Sequence, residues 1–163
     1  TDSERMVRQT IWHAQRLMRD GHASGRVVET VVDGPTFAAK HERFFCGIVS
    51  PEKARDEKLP SLLHFAEVPG LDVLTSIDEK SRRMTVSVVQ KLEKEAISAR
   101  FQFLGVSPKG KTVIANTLTG GKNLLVENTL SSPDRVGTAS RKMALSDKMT
   151  FPPASLTVLE FGI

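Results

Sequence analysis

"ISARFQFLGVSPKGKTVIANTLTGG" (Ile97–Gly121) admits two incompatible readings, and the choice between them decides the fold. Its middle, "GVSPKGKT" (Gly105–Thr112), satisfies G-x-x-x-x-G-K-[ST], the loop whose backbone N–H groups cradle phosphate. That chemistry needs a buried strand before the loop and a helix N-terminus after it. The first condition is met. Ile97, Ala99, Phe101 and Phe103 alternate with Ser98, Arg100 and Gln102, as in a strand buried on one face. The second fails: "VIANTLTGG" follows, whose β-branched residues favour strand and whose glycine pair ends the run early. Pro108 pre-sets a turn and Gly110 supplies permissive backbone. Gly105–Thr112 therefore reads as a hairpin loop with Lys109 and Lys111 in solvent, and no nucleotide is expected to bind.

Period-two patterning extends to both sides of this segment. "RVVETVV" (26–32) is a strand closed by Asp33-Gly34-Pro35. Leu71, Val73 and Ile77 form a second, and Met84, Val86 and Val88 alternate with Thr85, Ser87 and Val89 in a third. Further strands are expected at 111–118, 123–130, 135–143 and 155–161, separated by "TGG", "SSPD", "LSD" and "FPP". Many short strands with hardly a helix between them predict an all-β fold, an antiparallel jelly-roll-like β-sandwich.

One N-terminal α-helix precedes the strands. In residues 4–19, Val7, Ile11, Ala14 and Met18 recur at helical spacing, with Thr1 or Ser3 and Glu4 placed to cap the start and Asp20-Gly21 to stop it. Residues 38–68 hold a charge run, two prolines and no steady period. They read as a long loop with one short strand near 44–49.

The 163 residues bound the answer to one domain, or one domain and a fragment of another. The net charge of +4 is scattered among acidic residues, with Tyr absent and a single Trp, which argues against a nucleic-acid surface. No apolar run approaches the roughly 20 residues that span a bilayer, so no membrane partner is expected. No signal peptide opens the chain and the lone Cys46 cannot form an internal disulfide, which favours a cytoplasmic location.

Chemistry is sparse. His13, His22, His41 and His64 lack metal-ligand spacing, and Cys46 beside Phe44 and Phe45 reads as a small buried hydrophobe. A Cys46–His41 or Cys46–His64 pair is the remote enzymatic reading. Glu67, Asp72, Asp78 and Glu127 are carboxylate candidates only by default. No catalytic, cofactor-binding or metal-binding residue is assigned, and no cofactor is expected.

Four stretches, taken in order, nevertheless resemble one family. "RQTIWH" (8–13) with "GRVVETVVDGPTF" (25–37) is similar to the junction between barrel and sandwich in α-L-arabinofuranosidases of glycoside hydrolase family fifty-one. "VPGLDVLTSIDEKSRRMTVSVVQK" (68–91), "LTGGKNLLVENTLSSPDRV" (118–136) and "FPPASLTVLEF" (151–161) resemble later segments of the same family. The resemblance implies a split into residues 1–24, a helix left from the end of a catalytic (β/α)8 barrel, and residues 25–163, a C-terminal β-sandwich. It also implies an intact enzyme that removes terminal α-L-arabinofuranosyl groups from arabinose-containing glycans with retention. That enzyme's two glutamates lie upstream of Thr1, so none is carried over.

On this reading the sandwich braces the barrel, its partner, and helps subunits assemble into a homo-oligomer. The apolar stripe of the helix faces a surface outside this chain, and the sandwich from Gly25 onward folds without it. Two departures stand out. Val89-Gln90-Lys91 replaces the family's V-N-R, which puts hydrogen bonds from that pair to the barrel in doubt, and residues 38–67 exceed the usual short link. The alternative function is a carbohydrate-binding module that uses Phe37, Phe44, Phe45 and Phe65 near the long loop 38–67.

Overall fold

Ser155–Gly162, the last strand of the chain, lies in the middle of its largest sheet. The computed structural model describes residues 6–40 and 64–163. They comprise α1 (Thr10–His22), β1 (Arg26–Val28), β2 (Thr36–Lys40), β3 (His64–Pro69), β4 (Leu71–Asp78) and β5 (Arg83–Gln90). There follow β6 (Ile97–Arg100), β7 (Lys109–Thr119), β8 (Ala139–Ala144), β9 (Lys148–Phe151) and β10 (Ser155–Gly162). The antiparallel six-stranded sheet runs β1-β4-β5-β10-β7-β8, and β6 pairs with β9 in a second, two-stranded sheet. Central placement of the C-terminal strand means that β5 and β7 are joined only when the end of the chain arrives. Such non-local pairing slows folding.

The core lies between the two sheets. Met84, Val86 and Val88 of β5, Val113 and Ala115 of β7, and Leu159 and Phe161 of β10 meet Ile97, Met149 and Phe151 from β6 and β9. Phe101 and Phe103 lie beyond the end of β6 and still point inward. The Phe101 ring sits 6.3 Å from those of Phe151 and Phe161, and Phe103 sits 5.6 Å from Phe161. The expected inward alternation holds, although the strand itself stops at Arg100.

Gly105–Thr112 is not a hairpin. β6 pairs with β9 while β7 pairs with β10 and β8, so the segment carries the chain from one sheet to the other. The local reading holds in its main point: a strand, not a helix, starts at Lys109, and Gly105 and Gly110 take the left-handed φ values of 77° and 87°. Other boundaries also differ. Residues 123–130 form no strand, β8 starts only at Ala139, and β9 was not foreseen. β1 ends at Val28, before the expected 32.

α1 does not start at residue 4 under a Thr1 or Ser3 cap: Met6–Gln9 are not helical, and the helix begins at Thr10 behind Gln9. It also ends three residues later than 19, and the reason is tertiary. Gly21 does not stop the helix; it is buried in its last turn. A Cβ there would lie 3.0 Å from Val158 Cγ1 and 3.2 Å from Thr85 Cγ2, both on the sheet face turned away from the core. The helix thus packs on the sandwich of this chain, which corrects the expectation that its partner lies wholly outside it. Coverage of the stripe is incomplete: Val7, Ala14 and Met18 are half-buried, while Ile11 remains 63% and Met6 81% exposed. Glycine inside a helix costs about 1 kcal/mol relative to alanine, so a freely exposed Gly21 would gain stability on replacement. Gly21→Leu is expected to do the opposite, destabilising by about 1–3 kcal/mol through overpacking. A urea midpoint at or above that of the parent would show that the helix is not seated there.

Gly34–Gly70 form a unit of their own. Within it β2 and β3 pair antiparallel, and the Gly70 N–H donates to the Pro35 carbonyl at 2.8 Å. The ends of the expected long loop are therefore a hairpin. The short strand expected near 44–49 lies outside the described residues, as do His41, Phe44, Phe45 and Cys46.

Candidate functional site

The default carboxylates are engaged separately. Asp72 Oδ2 pairs with Lys91 Nζ at 2.8 Å. Asp78 ends β4 and holds the following turn: it accepts from Ser24 Oγ at 2.7 Å, from Ser81 Oγ at 2.8 Å and from the Lys80 N–H at 3.0 Å. Those bonds, led by Ser24, lower its carboxyl to about 2. Glu127 and Glu67 are exposed, on a loop and on β3 respectively. Among the described residues no cluster of His, Cys, Asp and Glu could hold a metal ion. Gln90 turns inward rather than toward a partner: it is 1% exposed and its Nε2 donates to the Glu95 carbonyl, closing the turn after β5.

The polar chemistry of the domain gathers where α1 meets the sheet. On that outer face Ser87 lies opposite Val158, and Ser76 opposite Thr85. The alternation in β5 suggests that Thr85 and Ser87 face water, yet they are 2% and 1% exposed because α1 covers them. Small side chains let the helix backbone approach; lysine or glutamate there would hold it off. His22 closes the contact, with Nδ1 2.6 Å from Ser76 Oγ and Nε2 2.5 Å from Ser87 Oγ. Burial, reinforced by the nearby Arg83 charge, pushes this imidazole below its ordinary 6.5.

The start of the helix is held by a second clasp. Gln9 occupies the N-cap without a capping bond, and its Nε2 instead donates to the Asn128 carbonyl at 3.1 Å. Asn128 is 1% exposed. Its Nδ2 donates to the carbonyls of Arg8 and Val136, both at 2.8 Å, and its Oδ1 accepts from the Val136 N–H at 2.7 Å. This side chain replaces the strand expected at 123–130: it fastens an irregular loop to itself and to the segment entering α1.

Beside these clasps a cleft of 630 Å³ opens between α1 and the outer sheet face. In its floor Arg83 Nη1 donates to Glu160 Oε2 at 3.2 Å and Asn116 Nδ2 to Glu160 Oε1 at 3.0 Å. Trp12 and His13 form its helical wall, their rings edge-to-face at 5.0 Å. A smaller, mainly apolar cleft of 220 Å³ lies between β7, β8 and β9. Of the sequence candidates, His13 and His22 come to this helix–sheet junction, and Asp72, Asp78 and Glu127 do not. Asn128, Arg83, Asn116 and Glu160 were not singled out from sequence. The visible signal was the run of Ser and Thr at outward positions where a wet face would carry charge.

His22 makes docking of α1 dependent on pH. Its folded pKa lies below the unfolded value of 6.5, so the unfolded chain binds the proton more readily. The stabilisation is complete above 6.5 and falls away as pH drops through the interval down to the lowered folded value. Melting temperature should therefore fall between pH 7 and pH 5, and His22→Gln, which does not titrate, should flatten that slope. An unchanged slope in the variant would contradict the assignment.

The chain matches the family described as alpha-L-arabinofuranosidase C-terminal domain over residues 1–155. Among curated proteins none matches. Solved structures do. The GH51 alpha-L-arabinofuranosidase of Thermotoga petrophila superposes with a TM-score of 0.77 at 23% identity, over 98% of this chain and 30% of that one. The arabinose complex of the alpha-L-arabinofuranosidase from Thermotoga maritima gives 0.74 at 23%, over 98% and 30%. The GH51 arabinofuranosidase of Xanthomonas axonopodis pv. citri gives 0.72 at 14%, over 99% and 28%. At these identities the likeness concerns the fold, and the chain spans under a third of the length of each of these proteins. With residues 1–155 matched, the family is settled: the chain belongs to the alpha-L-arabinofuranosidase C-terminal domain family.

Proposed function

We propose that this β-sandwich is the non-catalytic accessory domain of an α-L-arabinofuranosidase-like glycoside hydrolase, in which it braces a catalytic (β/α)8 barrel. The observation that carries the proposal is the family match over residues 1–155, joined to a coverage of only 30% of the GH51 structures it resembles. The intact enzyme would remove terminal α-L-arabinofuranosyl groups with retention, using two glutamates from the barrel. α1 is the last part of that barrel, carried over onto the sandwich. Its inner side is fixed by Gly21, His22 and the Asn128 clasp, and the uncovered Ile11 and Met6 meet the barrel. A helix held on both sides transmits the position of the sandwich to the barrel without a flexible hinge. The jelly-roll-like character of the sandwich and a role in subunit assembly belong to the same reading.

The test is made on the longer protein. The coding sequence upstream of Thr1 should encode a barrel with two paired glutamates. Expressed with α1 but without residues 25–163, that barrel should precipitate or melt well below the full protein. A barrel equally stable and active without them would overturn the bracing role.

A further inference from the structure

The cleft beside α1 has features that docking of the helix does not explain. His13 Nε2 and Arg83 Nε are both buried and have no hydrogen-bond partner among the described residues. Both residues line this one cleft. Buried polar atoms without partners are costly and uncommon in folded proteins. One is an Arg N–H that can only donate, and the other is a ring nitrogen that donates or accepts according to tautomer. The Glu160 carboxylate and Asp134 add acceptors on the same walls.

We propose that this cleft binds a neutral, polyhydroxylated ring, that is, a sugar residue. A hydroxyl group both donates and accepts, so a ring bearing several of them can satisfy donors and acceptors in the same cleft. The charge balance points the same way. Arg8, Arg16 and Arg83 are matched by Asp20, Asp134 and Glu160, with Arg16–Asp20 and Arg83–Glu160 already paired at 3.2 Å. No net positive field remains to draw in an anion. The volume of 630 Å³ lies within the usual range of small-molecule sites.

Trp12 supplies the apolar wall on which the C–H face of a sugar ring stacks. The Arg8 and Arg16 guanidiniums lie 4.8 and 5.2 Å from the centre of its ring. Arg8 is exposed and precedes the helix, so it acts as a displaceable cover. A cation–π contact at so exposed a site is weak enough for a ligand to replace. The inference rests on the cleft alone and stands or falls independently of the attachment to a barrel.

Trp12 is the only tryptophan in the chain, so its fluorescence reports this cleft directly. The 163-residue chain is titrated with methyl pentosides, methyl hexosides and, separately, inorganic phosphate. At least one glycoside should change the emission saturably, with a midpoint of about 1–10 mM. Asn116→Ala should move that midpoint at least tenfold upward by loosening Glu160, with circular dichroism confirming that the fold persists. Should that variant unfold, Glu160→Gln replaces it with the same expected shift. Arg8→Ala, which removes the cover from the Trp12 ring, should lower the midpoint. Absence of saturation with every glycoside, saturation by phosphate in place of sugars, or an identical midpoint in the folded cleft variant would overturn the proposal.

Discussion

Asn128→Ala is expected to destabilise the domain by about 3 kcal/mol, more than a typical polar substitution. Removing the side chain leaves the Val136 N–H and C=O without partners in a buried loop, at about 1–3 kcal/mol for each unsatisfied group. It also releases the Arg8 carbonyl, which lies on exposed chain and can turn to water at little cost. For a domain of this size about 3 kcal/mol corresponds to a fall in melting temperature of roughly 6–12 °C. Asn128→Asp should fall at least as far: it keeps the acceptor for Val136 N–H but loses both donated bonds and buries a charge. A fall of under about 2 °C in both variants would mean that the loop 128–136 is held by something other than this amide.

Removal of residues 1–23 is the second large effect. It uncovers Val158, which has no exposed surface, together with Thr85, Ser76 and Ser87. Re-exposing a buried valine costs about 1.5–3 kcal/mol, and the two hydrogen bonds of His22 add about 1 kcal/mol each. The total, about 3–5 kcal/mol, corresponds to a loss of roughly 10 °C in melting temperature. A truncated chain that melts with the parent would show that α1 rests on the sheet without contributing to it, and would restore the reading in which its partner lies elsewhere.

The strands with clean alternation, such as Met84-Thr85-Val86-Ser87-Val88, declared themselves because one face is apolar. The second burial of that strand did not, since Thr85 and Ser87 look like wet positions until a helix is laid across them. Gly21 carried the same ambiguity. Glycine after a helical run usually marks its end, and only the 3.0 Å approach to Val158 shows why the helix continues through it. Gly105–Thr112 was legible as strand-entering backbone, but not as a crossing between sheets, because partner choice is set by β9 and β10 far along the chain. Residues 123–130 have strand-like composition and form no strand; the side chain of Asn128 instead bonds the backbone of Val136 and Arg8 across the loop. No catalytic constellation could be read from the sequence, and the polar groups that do converge come from α1, β5, β7, β10 and the loops before α1 and β8, elements far apart along the chain.

The central claim is that this chain supports catalysis without performing it. It is tested by incubating the purified 163-residue protein with 4-nitrophenyl α-L-arabinofuranoside and following release of nitrophenol. The account predicts a rate indistinguishable from buffer alone, at any protein concentration. Release that scales with protein and disappears when a carboxylate within residues 1–163 is replaced would contradict it.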